Sequence, residues 1–240
     1  MVKYISHTDN PILIAHFPGQ SRTIENNLKI INEAINRKVH IPDNITIVSP
    51  ITDDTLQSSP LAIQLKNNGT EYINPLLGKK VIWRPHEKLK YVLEGLKEVK
   101  TEYSLIMDGN DSVIMADLDT LIEKYKTYDK EIMYNATCWR YPQTNVDYVE
   151  NRYQYGIYNY LNAGICIGKT EPLIEFYQEA WDLAELDGKN PYHQSEQWYI
   201  RKIFDKHQDT VFFDYECRFF QIWHKANYIW LDNGQTCKLQ

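Results

Sequence analysis

Two carboxylates three residues apart, Asp108 and Asp111, close an apolar run in Ser104-Leu-Ile-Met-Asp108-Gly109-Asn110-Asp111. On a strand, side chains at that offset face opposite sides, so the pair converges only if the backbone turns between them. Gly109 and Asn110 are residue types that tolerate such a turn. Two hard oxygen donors at the C-terminal end of a buried strand suit Mg²⁺ or Mn²⁺ better than zinc. In an open α/β sheet that edge is also where ligands bind. The same residues read equally well as a solvated acidic turn with Asp108 capping the next element.

A second acidic pair stands a few residues on, in Val113-Ile-Met-Ala-Asp117-Leu-Asp119-Thr120. An apolar run followed by DxDxT is the pattern of aspartate-nucleophile phosphatases, where the first Asp attacks phosphorus. Here the run is short for a core strand. Asp117 reads better as a helix N-cap, with Asp119 favouring the helix dipole and Leu118, Leu121 and Ile122 opening an amphipathic helix.

Hydrophobic patterning supplies the frame for these groups. Pro11–His16, Ile45–Val48, Lys80–Trp83 and Tyr103–Met107 read as strands. A helix capped by Ser21 carries Ile24, Leu28, Ile31 and Ile35 on one face. Another, from about Pro85 to Val99, buries Leu89, Val92, Leu93 and Leu96. Strands follow at Glu131–Tyr134, Ile165–Ile167, Val211–Phe213, Phe219–Gln221 and Tyr228–Trp230, with helices at 171–186 and 195–204. The face of the first of these helices is Ile174, Tyr177, Trp181 and Ala184. Alternating strand and helix predict an α/β fold with a mostly parallel sheet covered on both faces. No stretch rich in Gly, Pro or Ser divides the chain. Residues 1–240 are therefore read as a single domain, with regular strand–helix alternation over about 1–115 and a more mixed half over about 116–240.

Composition narrows the function classes. Lys and Arg number 26 against 32 Asp and Glu, a net charge of −6, so the basic footprint of a nucleic-acid binder is missing. No apolar run reaches the length of a membrane span, and the N-terminus lacks a secretory layout, so a cytoplasmic location is expected. Cys138, Cys166, Cys217 and Cys237 have no metal-ligand spacing and read as buried free thiols. The sequons at Asn44, Asn68, Asn110 and Asn135 are read as chance in an Asn-rich chain.

Five segments occur in order: Met107-Asp-Gly-Asn-Asp-Ser-Val-Ile, Tyr160-Leu-Asn-Ala-Gly-Ile-Cys-Ile-Gly168, Ser195-Glu-Gln-Trp-Tyr, Asp214-Tyr-Glu-Cys-Arg-Phe-Phe-Gln221, and Asn233-Gly234 with Lys238-Leu-Gln. Together they resemble the glycosyltransferase domain of the procollagen lysyl hydroxylases and the related collagen glycosyltransferases, over about residues 80–240. The resemblance implies a GT-A-type, Rossmann-like sheet flanked by helices, and a UDP-sugar donor held through Mn²⁺ or Mg²⁺. By resemblance, Asp108 and Asp111 are the metal-binding carboxylates. The family's third ligand is a His in a His-Gly-Asn segment, where this chain has Leu231-Asp232-Asn233-Gly234. Asp232 is the substitute that remains, with Asn233, Gly234 and Lys238 beside the donor diphosphate. Lys88 and Tyr91 occupy the positions of a phosphate-binding Lys and a uracil-stacking Trp, and residues three apart share a helix face. Asn162 and Gly164 are expected at the donor sugar, the other reading of Asn162-Ala-Gly164 being a β-bulge ahead of a core strand. Glu196, the one carboxylate kept from an acidic pair, is expected to be catalytic or to orient the sugar. Asp214 either orients an acceptor or holds a buried network.

The Tyr-rich stretch with Trp139, Tyr141, Tyr148, Tyr153, Tyr155, Tyr158 and Tyr160 is an acceptor platform or a packed loop. The expected reaction is transfer of a hexose from UDP-glucose or UDP-galactose to a hydroxyl, with hydroxylysine of a collagen-like chain as one acceptor. Two other classes stay open: a catalytically silent UDP- or glycan-binding scaffold, and a phosphatase built on Asp117 and Asp119.

Overall fold

Residue type and available hydrogen-bonding partners set the elements. The computed structural model describes residues 11–138, 158–187, 195–223, 228–230 and 236–238. Strand β1 is Ile14–His16, within the apolar run at 11–16, and β2 is Ile45–Val48 as its β-branched residues predict. Between them the helix starts later than Ser21 predicts. Gly19–Thr23 is a 3₁₀ turn, α1 spans Glu25–Ile35, and the buried Asn27 side chain donates to the Ser21 carbonyl. That phase buries Asn27, Ile31 and Ala34 and turns Leu28 outward.

Two helices follow, α2 (Asp53–Leu56) and α3 (Pro60–Asn68). The second is capped by Ser59, whose hydroxyl accepts from Ala62 N, and is closed by Gly69 in the left-handed conformation, φ 72°. Lys80–Trp83 is irregular rather than a strand. The edge of β2 it would need is taken by Ile73, which bridges Val48 and exchanges backbone hydrogen bonds with Ile47 and Ser49. Ile82 and Trp83 are accordingly exposed.

The chain continues through α4 (Lys88–Leu96), β3 (Tyr103–Met107), β4 (Ser112–Ile114), α5 (Leu121–Lys126) and β5 (Ile132–Thr137). Next come β6 (Tyr160–Lys169), α6 (Thr170–Asp187), α7 (Glu196–Phe204), β7 (Val211–Phe213), β8 (Phe220–Ile222), β9 (Tyr228–Trp230) and β10 (Thr236–Lys238). β6 is longer than Ile165–Ile167 predicts because it is paired along both sides, by β3 and β5. The central sheet runs β2-β3-β6-β5-β7, with β6 antiparallel to both neighbours and the other four strands sharing one direction. A second sheet, β4-β1-β8, leans on it, and β9 and β10 form a two-stranded ribbon.

The helices cover both faces, as an α/β fold requires. Against one face α4, α6 and α7 pack around Val92, Leu96, Cys166, Tyr177 and Ile200. Against the other, α3 and α5 contribute Leu61, Leu65 and Leu121 to a cluster with Leu105 and Ile167. A third cluster seals α1 on the second sheet through Ile31, Ala34, Ala15 and Val113. Cys166 and Cys217 are buried free thiols, whereas Cys138 is only partly buried. No helix among the described residues is long and apolar enough to cross a membrane.

Candidate active site

The turn between β3 and β4 passes from one sheet to the other, and both carboxylates lie on it: Asp108 follows Met107 and Asp111 precedes Ser112. Neighbouring hydroxyls fix its path. Ser49 Oγ donates to the Met107 carbonyl at 2.7 Å, and Ser59 Oγ to the Gly109 carbonyl at 2.7 Å. A Cβ on Gly109 would stand 2.3 Å from the Ile51 side chain, so the close approach requires glycine. The sharp turn brings Asp108 and Asp111 into one cleft, of about 420 Å³.

β1 adds a group that sequence reasoning did not single out. His16 ends that strand, paired with Ser112 on one side and Ile222 on the other, and its side chain is 3% exposed. Its Nε2 lies 3.4 Å from Asp111 Oδ1 and 3.6 Å from Asp108 Oδ2, and neither ring nitrogen has a hydrogen-bond partner. Gly164 makes the room: a Cβ there would fall 2.2 Å from His16 Cε1 and 2.8 Å from Asp108 Oδ2. The Gly164 carbonyl also accepts from Asp108 N at 2.8 Å. Asn162-Ala-Gly164 lies where β6 bulges against β5, between Tyr134 and Asn135. Among the described residues, His16, Asp108 and Asp111 are the one His, Cys, Asp or Glu trio whose ligand atoms gather within 4.8 Å.

Opposite them stands Lys88, at the start of α4. Its side chain is 5% exposed, and its ammonium donates to Asp108 Oδ1 and to Glu196 Oε1, the latter at 3.1 Å. Glu196 opens α7, and neighbouring Gln197 accepts from Asn162 Nδ2 and Ala163 N, tying that helix start to the bulge. Burial disfavours the Lys88 ammonium, yet Asp108 and then Glu196 outweigh it and hold the group charged. Burial raises the Asp108 carboxyl above the usual range against the pull of Lys88. Burial lowers His16, but Asp111 and then Asp108 reverse this, so its net shift is upward.

The remaining predicted residues fall in different places. Tyr91 is buried behind the cleft wall, its hydroxyl donating to Glu87 Oε2 at 3.2 Å, and its ring stacks on Trp83 at 6.2 Å. The aromatic that lines the cleft is Trp83, hidden from sequence reading because its segment resembles a strand. Asn162 Oδ1 accepts from Gly164 N, so its amide braces the bulge. Asp214 is fully buried and accepts from Tyr128 Oη and from the amides of Arg218, Phe219 and Phe220, in a network that includes none of the cleft carboxylates.

Asp232, Asn233 and Gly234 lie outside the described residues, and Lys238 is on β10, of which only the backbone is described. The Tyr-rich stretch is also outside them except for Tyr158 and Tyr160; Tyr158 is buried and its hydroxyl accepts from Gln221 Nε2. Asp117 is not a helix N-cap, since α5 begins at Leu121. Its carboxylate accepts from His40 N at 2.7 Å, and Asp119 meets His40 Nδ1, both on the surface and outside the cleft.

The cleft thus holds hard oxygen donors and a fixed ammonium, with the buried His16 imidazole set against its two carboxylates, an arrangement suited to a cation and to the anionic group it accompanies. No curated protein matches the chain. A family model described as the PLOD GT domain matches residues 78–232, which contain the β3–β4 turn, the β6 bulge and the start of α7. That match takes in well over half of the 240 residues and includes Trp83, Lys88, Asp108, Asp111 and Glu196 of the cleft, while β1 and the cleft wall at 50–55 precede it. The chain belongs to the family of glycosyltransferase domains of the procollagen lysyl hydroxylases.

Proposed function

We propose that the protein is a metal-dependent glycosyltransferase that moves a hexose, glucose or galactose, from a UDP-sugar to a hydroxyl acceptor, with hydroxylysine of collagen-like chains as a candidate. The observation that carries this reading is the convergence of Asp108, Asp111, Lys88 and Glu196 on one cleft in a chain of this family. Asp108 and Asp111 fit a hard divalent cation, Mn²⁺ or Mg²⁺, because both present carboxylate oxygens on one side of a turn. When bound, such a cation supplies positive charge to the diphosphate as the sugar departs.

The chain's own groups do the rest. Lys88 adds a fixed positive charge at the cleft wall, next to Asp108 and within reach of an anionic donor. Trp83, backed by Tyr91, offers a flat face for a base. Glu196 is the one carboxylate of the cleft that faces Lys88 from α7 rather than from the β3–β4 turn. The role we assign to it is to orient the sugar or to take the proton of the acceptor hydroxyl. Asn162 and Gly164 hold the β6 backbone at the donor-sugar side, and Asn233, Gly234 and Lys238 are assigned to the diphosphate by resemblance.

The test is UDP release from a panel of UDP-sugars, with and without Mn²⁺, by wild type and Asp111→Asn. Mn²⁺-dependent release from one sugar, lost in the variant, is the expected result and names the donor. UDP binding without release from any sugar, with or without hydroxyl acceptors, would turn the reading into a silent scaffold. No binding at all would end it.

A further inference from the structure

We infer that His16, on β1, is the third protein ligand of the cation, in the place that resemblance gives to Asp232. The inference rests on the metal-dependent reading and deepens it. His16 lies outside the matched segment, 78–232, so no family pattern points to it. Three observations do. The imidazole is almost fully buried, and neither nitrogen makes a well-formed hydrogen bond: Nε2 has only the longer contacts to Asp111 and Asp108, and Nδ1 has none, which leaves donor capacity for a ligand. Its Nε2 faces the two carboxylates at 3.4 and 3.6 Å, distances at which a cation seated among the three atoms would touch all of them after small adjustments. Finally, Gly164 lets the ring and Asp108 Oδ2 come together against the β6 backbone, where a Cβ would fall 2.2 Å from His16 Cε1 and 2.8 Å from Asp108 Oδ2.

The backbone holds His16 for this task. Trp223 N donates to the His16 carbonyl at 2.8 Å, and Phe17 N to the Asp111 carbonyl at 2.7 Å, which locks β1 to both neighbours at the cleft. A rigid frame lets an imidazole approach from a strand end with little freedom to lose. An imidazole with two carboxylates suits Mn²⁺ better than Mg²⁺, since nitrogen donors favour the softer ion. The mixed donor set therefore also predicts that Mn²⁺ binds more tightly than Mg²⁺.

The experiment uses Mn²⁺ alone as the probe, on the intact chain. Pulsed electron paramagnetic resonance of bound Mn²⁺ reads directly whether a histidine nitrogen is coordinated. Wild type is expected to show ¹⁴N coupling that becomes ¹⁵N coupling when only histidine is ¹⁵N-labelled. In His16→Gln the coupling should vanish and Mn²⁺ affinity should fall at least about 10–100-fold, the size of effect that loss of even an outer-shell group produces. Asp232→Asn should leave the coupling in place. If His16→Gln does not fold, His16→Phe makes the same test, because it keeps a ring in the buried space at the end of β1 and removes both nitrogens. Bound Mn²⁺ with no histidine coupling, or coupling that persists in the folded His16→Gln protein, overturns the assignment and leaves the transferase reading standing. Failure to bind Mn²⁺ even with UDP present overturns both.

Discussion

Asp108 and Asp214 are both carboxylates that burial pushes toward protonation, yet the protein answers that cost in two different ways. Asp214 is fully enclosed and accepts from three consecutive amides and a tyrosine hydroxyl, all neutral donors. Its lone pairs are committed, and nothing is left to bind. Asp108 is 28% open and is balanced by charge: the Lys88 ammonium on one side, His16 on the other, and Asp111 pushing back. A carboxylate satisfied by neutral donors has a structural job. One held among charges beside a cleft can exchange those partners for a ligand.

That contrast predicts which carboxylate matters for which measurement. Asp108→Asn should lower Mn²⁺-dependent UDP release by on the order of 10³-fold, the scale of losing one preorganised electrostatic group. Its unfolding free energy should move less than that of Asp214→Ala, because Lys88 keeps Glu196 as a partner and Asp111 no longer repels a charge at position 108. Asp214→Ala should do the reverse. It strands two buried amides, Phe219 N and Phe220 N, each worth about 1–3 kcal/mol when left unpaired, and two part-buried donors beside them, so urea unfolding should shift by at least ~2 kcal/mol. The protein that remains folded should retain its activity. Equal loss of activity in the two folded variants would erase the distinction.

Lys88 belongs to both classes at once, buried like Asp214 and charged like Asp108. Lys88→Met should reduce UDP release by ~10²-fold through loss of the positive charge at the diphosphate. With the ammonium gone, Asp108 loses its resident counter-ion, so the affinity for Mn²⁺ in the absence of nucleotide should rise. Calorimetric titration of Mn²⁺ checks the sign. A fall in affinity would mean that Lys88 shapes the carboxylates rather than competing for them.

Much of this is legible in local pattern. The β3 run, the Asp108-to-Asp111 turn and the Asn162-to-Gly164 bulge are contiguous, and their residue types dictate their conformations. Lys88 and Glu196 came through resemblance, because each meets Asp108 or its partner only after α4 and α7 pack on the sheet. His16 was illegible: a lone histidine at the end of an apolar run carries no signal until β1 pairs beside β4. Lys80–Trp83 misled for the opposite reason, since its pattern is strand-like but Ile73 had already taken the edge of β2. The aromatic facing the cleft was lost with it. Trp83→Ala should weaken UDP binding by ~10-fold, the low end of base–aromatic stacking, while Tyr91→Phe should change it little.

The smallest expected effect falls on the second acidic pair. Asp117 accepts from His40 N and Asp119 pairs with the exposed His40 ring, so the two carboxylates pin the segment before β2 to the one before α5. They sit at the surface, and the ring and backbone contacts give them a positional task that needs no catalysis. Asp117→Asn retains an oxygen able to accept from His40 N, so stability should change within about 0.5 kcal/mol and UDP release should be unaltered. A phosphomonoester assay on the same protein should give no release above background before or after the change. Phosphate release by wild type that disappears in Asp117→Asn and survives in Asp108→Asn would move the chemistry from the β3–β4 turn to this surface pair.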